Sequence, residues 1–464
     1  MPSGDVDQFA ALIRDRLRHG HGPLSRRLAA ALTDLARTGA LSPGTRLPSE
    51  RDLARVLDCS RGAVAAAFNA LFEDGVCERR HGSGTYLAAG AGPESAMGRL
   101  LRPGAVFADL STSVVPDPSH LRVPKLDPAD LLRTPSQHGY DLVGEPGLRE
   151  LLGDEVLITG GAQQGIDLAT RCLARPGDAV LVEKPTYPGA LAAIQGCGAR
   201  AVAVATDHRG MRPDALRDAI SRYRPAFGYV QAVRNPDGAV ADDDRVGELA
   251  ETARHADLRI VEDRTLAELV YEGARPGRFA ATHPHGTIEV HSLSKVLWGG
   301  LRVGWLAAPE PLLAQLTELK QTSDLATSAV SQRLAAELLR HNDFASWRTE
   351  LAQRRDHLSA ALHRDIPQWT WDRPLGGLSL WVRLPGTDTD RFAELARGNG
   401  VAVAPGSLFS ADRRYRDHLR LSFALSPELL DQAVAALART FRSKGHRAAS
   451  AVTDHNGDDP GPRI

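Results

Sequence analysis

Lysine is scarce in this chain: there are five, Lys125, Lys184, Lys295, Lys320 and Lys444, against 51 arginines. Any chemistry that needs a lysine amine must draw on one of them, and the surroundings of Lys295 stand out. It follows a strand-like run in HSLSKVLWGGLRVGWL, residues 291–306, behind Ser292 and Ser294 and seven residues ahead of Arg302. A lysine amine condenses with an aldehyde, and hydroxyls with a guanidinium close by would hold a phosphate. By contrast Lys184 precedes a proline in a loop, Lys320 falls on an amphipathic helical pattern and Lys444 sits in the C-terminal tail. An isolated S-x-S-K run is more often a surface loop than a site, so its weight depends on complementary pieces elsewhere. Gly161, Ala162 and Gln163 form a Gly-rich turn opening a helix, whose free N–H groups and positive dipole end suit a phosphate. Tyr187 in EKPTYPG follows a strand and can stack on a planar heterocycle, although turn packing is the plainer account of it. Asn235 in RNPDG can reach a phenolic oxygen with its amide, while N-P-x-G is first of all a turn signal. Glu262 and Asp263 close LRIVED at the carboxyl end of a buried strand, where α/β proteins gather ligand chemistry, and an anion there keeps a pyridine nitrogen protonated.

A second group of candidates lies near the N-terminus. PLSRRLAAALTDLARTG spaces Leu24, Leu28, Leu32 and Leu35 as one helical face, closed by Gly39. LPSERDLARVLD starts a second helix with Ser49 and Asp52 at capping distance, and Ser60 caps a third, SRGAVAAAFNALFEDG. In that third helix Val64, Phe68 and Leu71 are the side chains to bury, and Ala65, Ala66 and Ala67 make a small side that can approach another surface. VCERRHGSGTYLA then reads as a β-hairpin turning at His81, Gly82, Ser83 and Gly84. Helix, turn, helix and hairpin together make a winged helix-turn-helix. Arg51 and Arg61 could grip phosphate or pair with guanine edges; an ion pair for Arg51 and plain solvation for Arg61 are the bland alternatives.

The elements that must hold these residues divide the chain. Residues 1–22 are an N-terminal segment, 23–89 the winged helix and 90–108 a Gly/Ala/Pro-containing linker. Residues 109–442 alternate β-type runs (EVLIT, AVLVE, LRIVE, GTIEVHS) with helical patterns, which predicts an α/β domain with a mostly parallel sheet. Residues 443–464 have too few apolar groups to offset the entropy of ordering and read as a disordered tail. The content is that of a soluble globular protein, 42% hydrophobic and 24% charged, with no apolar run long enough to span a membrane. The first twenty residues lack the basic start and apolar stretch of a secretory signal, which places the chain in the cytoplasm. Four cysteines without a C-x-x-C pair argue against zinc and against a disulfide framework, and no metal site is expected; the cysteines read as buried thiols. A net charge of −1 carries no global footprint for nucleic acid, and residues 23–90 hold nine arginines against seven acids, so the DNA-contacting surface must be local and paired.

The N-terminal pattern, P-L-x-x-x-L-A, G-x-L-x-P-G-x-R-L-P-S-E-R-x-L-A, S-R and G-S-G-T-Y, resembles the GntR-family DNA-binding domain. The resemblance implies contacts with double-stranded DNA from Ser49, Arg51, Ser60, Arg61, His81, Gly82 and Ser83. Residues 109–440 resemble a fold type I aminotransferase, which is dependent on pyridoxal 5'-phosphate (PLP). By that resemblance Lys295 is the internal aldimine lysine, Asp263 the partner of the pyridine nitrogen, Asn235 the contact to the ring oxygen and Tyr187 the stacking ring. The phosphate falls to Gly161, Ala162, Gln163, Ser292, Ser294 and Arg302, with Tyr140 reaching it from the second subunit of a homodimer. Arg420 in LRLSFA resembles the arginine that grips a substrate or effector carboxylate. Where many relatives have E-D-D-Y, this chain has Glu262-Asp263-Arg264-Thr265, so the tyrosine that assists proton transfer is missing. The two resemblances in this order are those of the MocR subgroup. They imply a PLP-dependent transcriptional regulator that senses the cofactor or an amino compound; the alternative is an active aminotransferase that keeps a winged helix.

Overall fold

The computed structural model describes residues 9–10, 12–14, 17, 23–37, 41, 44–73, 76–80, 84–88, 96–101, 105–133, 138–153 and 155–453. Two compact units divide the chain, Met1–Arg99 and Leu100–Ile464. In the first, helices Leu24–Arg37, Glu50–Leu57 and Arg61–Glu73 are followed by strands Cys77–Arg80 and Gly84–Leu87, paired antiparallel. Leu28, Leu32 and Leu35 meet Val64, Phe68 and Leu71 in one buried cluster. Ala67 enters that core, fully buried, and leaves the side it was expected to share with Ala65 and Ala66. Consecutive helical residues are about 100° apart, so three of them cannot occupy one narrow face. Phe9 and Ile13 are buried in the same core, so residues read as a mere N-terminal segment supply part of it. The hairpin turn at His81, Gly82 and Ser83 lies outside the described residues, as does Gly39.

Ser49 precedes the second helix with an extended backbone and accepts the N–H of Asp52 at 3.1 Å, while its hydroxyl donates to the Asp52 carboxylate at 2.7 Å. Losing such a cap costs about 1 kcal/mol. Ser49→Ala is therefore expected to lower the melting temperature of the small unit by several degrees in scanning calorimetry, with the transition of the large unit unmoved.

A seven-stranded sheet organises the large unit. Its order is Val156–Thr159, Gly304–Ala307, Thr287–Ser292, Arg259–Asp263, Phe227–Gln231, Ala179–Glu183, Arg200–Val204. All neighbours run parallel except Gly304–Ala307, antiparallel to both of its own. The inner strands are buried along nearly their whole length because helices cover both faces. Val180, Val182, Tyr229 and Val261 point to one side, against Ile166, Ala169 and Ile194. Leu181, Val230 and Ile260 point to the other, against Leu216, Leu249 and Ala253. A third core joins helix Ala345–Asp365 and the last helix to an antiparallel sheet of Ser379–Arg383, His418–Ser422 and Ala404–Pro405.

Both edges of this unit differ from expectation. Ala108–Asp109 pairs with Val401–Ala402, and the Leu100 carbonyl accepts from the Ser111 hydroxyl at 3.3 Å, so the body takes up part of the segment read as linker. The last helix is Pro427–Thr453 and passes through Arg442 into the segment read as a tail, since a helix already nucleated on the core is extended at little further cost. Of the four cysteines, all free, Cys77 is buried and Cys59, Cys172 and Cys197 are half-buried. Lys320, on an amphipathic helical pattern, is fully buried and held by Asp324 at 2.6 Å. No helix of the described residues is long and apolar enough to cross a membrane.

Candidate functional site

Register in the sheet brings several candidate residues of the large unit together at one end of the strands. Ser292 pairs with Gly304 and Gly304 with Thr159, so the loop holding Lys295 and Arg302 abuts the Gly160-Gly161 turn. Gly161 has φ +101°, and a Cβ there would stand 2.7 Å from Arg302 Nη2, so both its conformation and its neighbour require glycine. Arg302 itself is left-handed (φ 53°) and donates to the Gly160 carbonyl at 2.6 Å. Ala162 opens helix Ala162–Leu173, and Gln163 donates to the Gly189 carbonyl at 3.0 Å. Ser292 donates to Ser294 at 3.0 Å. The hydroxyls, the helix N-terminus and Arg302 thus converge as a set of donors able to take a phosphate.

Lys295 donates through Nζ to the Ser113 carbonyl. Burial pulls the pKa of its amine down to about 8, the charge of Arg420 adds to that, and Asp263 opposes it. Asp263 ends its strand on the same face as Val261; Tyr229 Oη donates to its Oδ2 at 2.6 Å and the Thr265 N–H to its Oδ1 at 2.9 Å. Tyr187 is pushed up to about 12, first by burial and then by Asp263, so it is a neutral ring at physiological pH. Arg420 donates to Asn235 Oδ1 at 3.0 Å and to the Ser111 carbonyl, with its guanidinium 4.8 Å over the Phe409 ring.

Four buried polar atoms here have no hydrogen-bond partner: Ser113 Oγ, Gln163 Oε1, Thr265 Oγ1 and Arg420 Nε. Unsatisfied groups are costly in a folded interior, and a cluster of them around an amine, a carboxylate and two guanidiniums fits a polar ligand. With the Lys295 amine among them, these groups suit the aldehyde, ring and phosphate of PLP. Tyr140 stands apart, 58% exposed, with its ring 5.7 Å from that of His138. Ser111, Ser113, Tyr229 and Phe409 were not legible in advance. The first two act through backbone carbonyls, which no side-chain pattern announces, and Tyr229 is one strand residue among apolar ones.

In the small unit Ser49 and Ser60 are helix caps, Ser60 Oγ accepting the Ala63 N–H at 3.2 Å. Arg51 is exposed, and Arg61 is paired loosely with Glu50, 3.6 Å away, with 74% of its side chain exposed. Arg46, not singled out beforehand, lies against the first residue of the second hairpin strand, its Nε 3.2 Å from where a Cβ of Gly84 would be. Arg46, Ser49, Arg51, Arg61 and Thr85 line one groove.

Fold and site define an aminotransferase-type body joined to a small winged-helix reader. The chain belongs to the aminotransferase class I and II family, which it matches over residues 127–437, and residues 24–87 match the gntR family of bacterial regulatory proteins. Together these make it a transcriptional regulator of the MocR type. It is 28% identical to the uncharacterized HTH-type transcriptional regulator YisV of Bacillus subtilis, covering 90% of this chain and 96% of the relative. It is 29% identical to the HTH-type transcriptional regulator TauR of Rhodobacter capsulatus, covering 91% and 97%. Among solved structures, the α-aminoadipate aminotransferase LysN of Thermus thermophilus, complexed with N-(5'-phosphopyridoxyl)-L-leucine, superposes with a TM-score of 0.63 at 31% identity, over 75% of this chain and 96% of that one.

Proposed function

We propose that the chain is a cytoplasmic, homodimeric regulator whose body binds PLP at Lys295 and whose readers contact double-stranded DNA through Arg51, Arg61 and the wing at His81, Gly82 and Ser83. The observation that carries this is the Lys295 amine, low in proton affinity and set between Asp263, Arg420 and Arg302, in a chain that also has a reader. PLP, when bound, supplies an aldehyde for an amine and a ring that withdraws electrons. Lys295 would present to it an amine whose proton affinity burial has lowered. Arg302, Ser292, Ser294, Gln163 and the N–H groups at Gly161 and Ala162 would hold its phosphate. Asp263 would pair with the ring nitrogen and favour its protonated form, Asn235 would take the ring oxygen and Tyr187 would pack against the ring.

Arg420, braced by Asn235 and enclosed, takes the carboxylate of an amino-acid effector bidentately. Tyr140, exposed in its own chain, completes the phosphate grip of the partner. An effector shifts DNA recognition only so far as it binds two arrangements of the paired readers with different affinity. Thr265, where the tyrosine of E-D-D-Y would stand, has a short buried hydroxyl that touches no proton-transfer partner, which favours sensing over turnover.

Retention of Lys295, Asp263 and Arg420 supports a second reading, a working aminotransferase, and a turnover assay with amino donors and 2-oxo acids separates the two. The test of the first is binding of the full chain to DNA from upstream of its own gene, with and without PLP, beside Lys295→Ala. A PLP-dependent change in affinity or footprint that the variant lacks is the expected result. Absence of specific DNA binding under every condition, together with a PLP absorbance band that amino acids discharge, would overturn it in favour of the enzyme.

A further inference from the structure

Tyr229 is a phenol in an apolar layer. It is 1% exposed, on the sheet face shared by Val180, Val182, Val261 and Ile288, where a phenylalanine would pack as well without a hydroxyl to satisfy. Its hydroxyl is satisfied at one place, Asp263 Oδ2, at 2.6 Å. With the Thr265 N–H on Oδ1, each oxygen of the carboxylate receives one donor and keeps a lone pair for a third partner. The charged and titratable groups around the pair are Glu183, Tyr187 and Lys295, with Arg420 and Arg302 beyond Lys295. Asp263 is itself only 8% exposed.

Resting on the PLP reading above, we propose that Tyr229 is a positioning residue of that site: by donating to Asp263 it fixes and aims the carboxylate, and so favours the proton on the cofactor's ring nitrogen. A hydrogen bond to the charged form lowers a carboxylate's proton affinity. In a carboxylate–pyridinium pair that leaves the proton on nitrogen. Burial raises the proton affinity of Tyr229 far above that of an ordinary phenol, with the charge of Asp263 adding to it, so Tyr229 donates at all working pH values and is not itself a switch.

The test follows the absorbance of the full-length chain loaded with PLP against pH, for the wild type, Tyr229→Phe and Asp263→Asn. Without a firmly protonated ring, the nitrogen joining Lys295 to the cofactor holds its proton more tightly and the midpoint rises. Asp263→Asn sets the full extent of that rise, and Tyr229→Phe is expected to move the midpoint the same way by up to about one pH unit. Site-specific 3-fluorotyrosine at 229 keeps the shape and strengthens the donor, so it is expected to lower the midpoint. A Tyr229→Phe midpoint equal to the wild type's, or a fluorinated protein that shifts in the same direction as Phe, would overturn the proposal while leaving the cofactor reading intact. A wild-type chain that shows no PLP band overturns the cofactor reading and this proposal with it.

Discussion

Uptake of PLP by the cofactor-free protein is expected to accelerate as pH rises through about 8 and to level off above it, because the Lys295 amine loses its proton there. The free amine is the nucleophile, so the rate follows its fraction. At pH 7 a lysine with that proton affinity is about a tenth deprotonated, roughly 200-fold more than an ordinary exposed lysine. Burial is the main cause, so the shift depends on the site staying enclosed. Two variants check the secondary causes by sign. Arg420→Gln removes a repelling cation and should raise the midpoint, whereas Asp263→Asn removes an attracting anion and should lower it. Lys295→Ala should show no uptake at any pH. Stopped-flow absorbance across the range measures all four proteins, and a wild-type midpoint near 10 would mean that the amine is open to water.

Arg61→Ala is expected to weaken operator binding by about 5- to 150-fold per reader, the span of about 1–3 kcal/mol that a bidentate arginine contact contributes. Its partner in the free protein is Glu50 at 3.6 Å, and both side chains retain exposure. Such a surface pair contributes between about 0 and 1 kcal/mol, so the guanidinium is released to DNA at little cost. The alanine variant also leaves the Glu50 charge facing the phosphates. Titrations at several salt concentrations separate the roles: loss of a phosphate contact lowers the salt slope by about one, and loss of a base contact relaxes sequence preference. Arg61→Lys should recover the phosphate part alone, since an ammonium lacks the fork for a guanine edge. Wild-type affinity in Arg61→Ala would remove this residue from the interface.

Much of the site was legible before the structure because its chemistry is carried by rare residue types at local spacing. One lysine of five follows a strand, and Gly161 precedes a helix, so Lys295, Arg302 and the Gly160-Gly161 turn could be named from short runs. The helices of the small unit were legible for a similar reason: Ser49 and Ser60 are caps, and caps act within three residues. Misplacements arose where a residue's surroundings come from far along the chain. Burial of Lys320 is not visible from its own helix, and Phe9 and Ile13, in what reads as an N-terminal segment, fill a core. Arg46 was passed over because the Gly84 it meets lies on the hairpin.

By itself, then, the sequence determined the order of the two units and the periodicities that make one a winged helix and the other a layered α/β body, and it offered Lys295, Asp263, Asn235 and Arg420 as candidates. These follow from interactions that span a few residues. Only the tertiary structure decided that Tyr229 donates to Asp263, that the Ser111 and Ser113 carbonyls receive Arg420 and Lys295, and that the Lys295 amine is enclosed enough to lose its proton near pH 8. Each of those depends on strand register and on burial, which are set by the packing of segments tens to hundreds of residues apart. A pKa in particular is a property of the solvent excluded around a group, and exclusion of solvent exists only once the chain has folded.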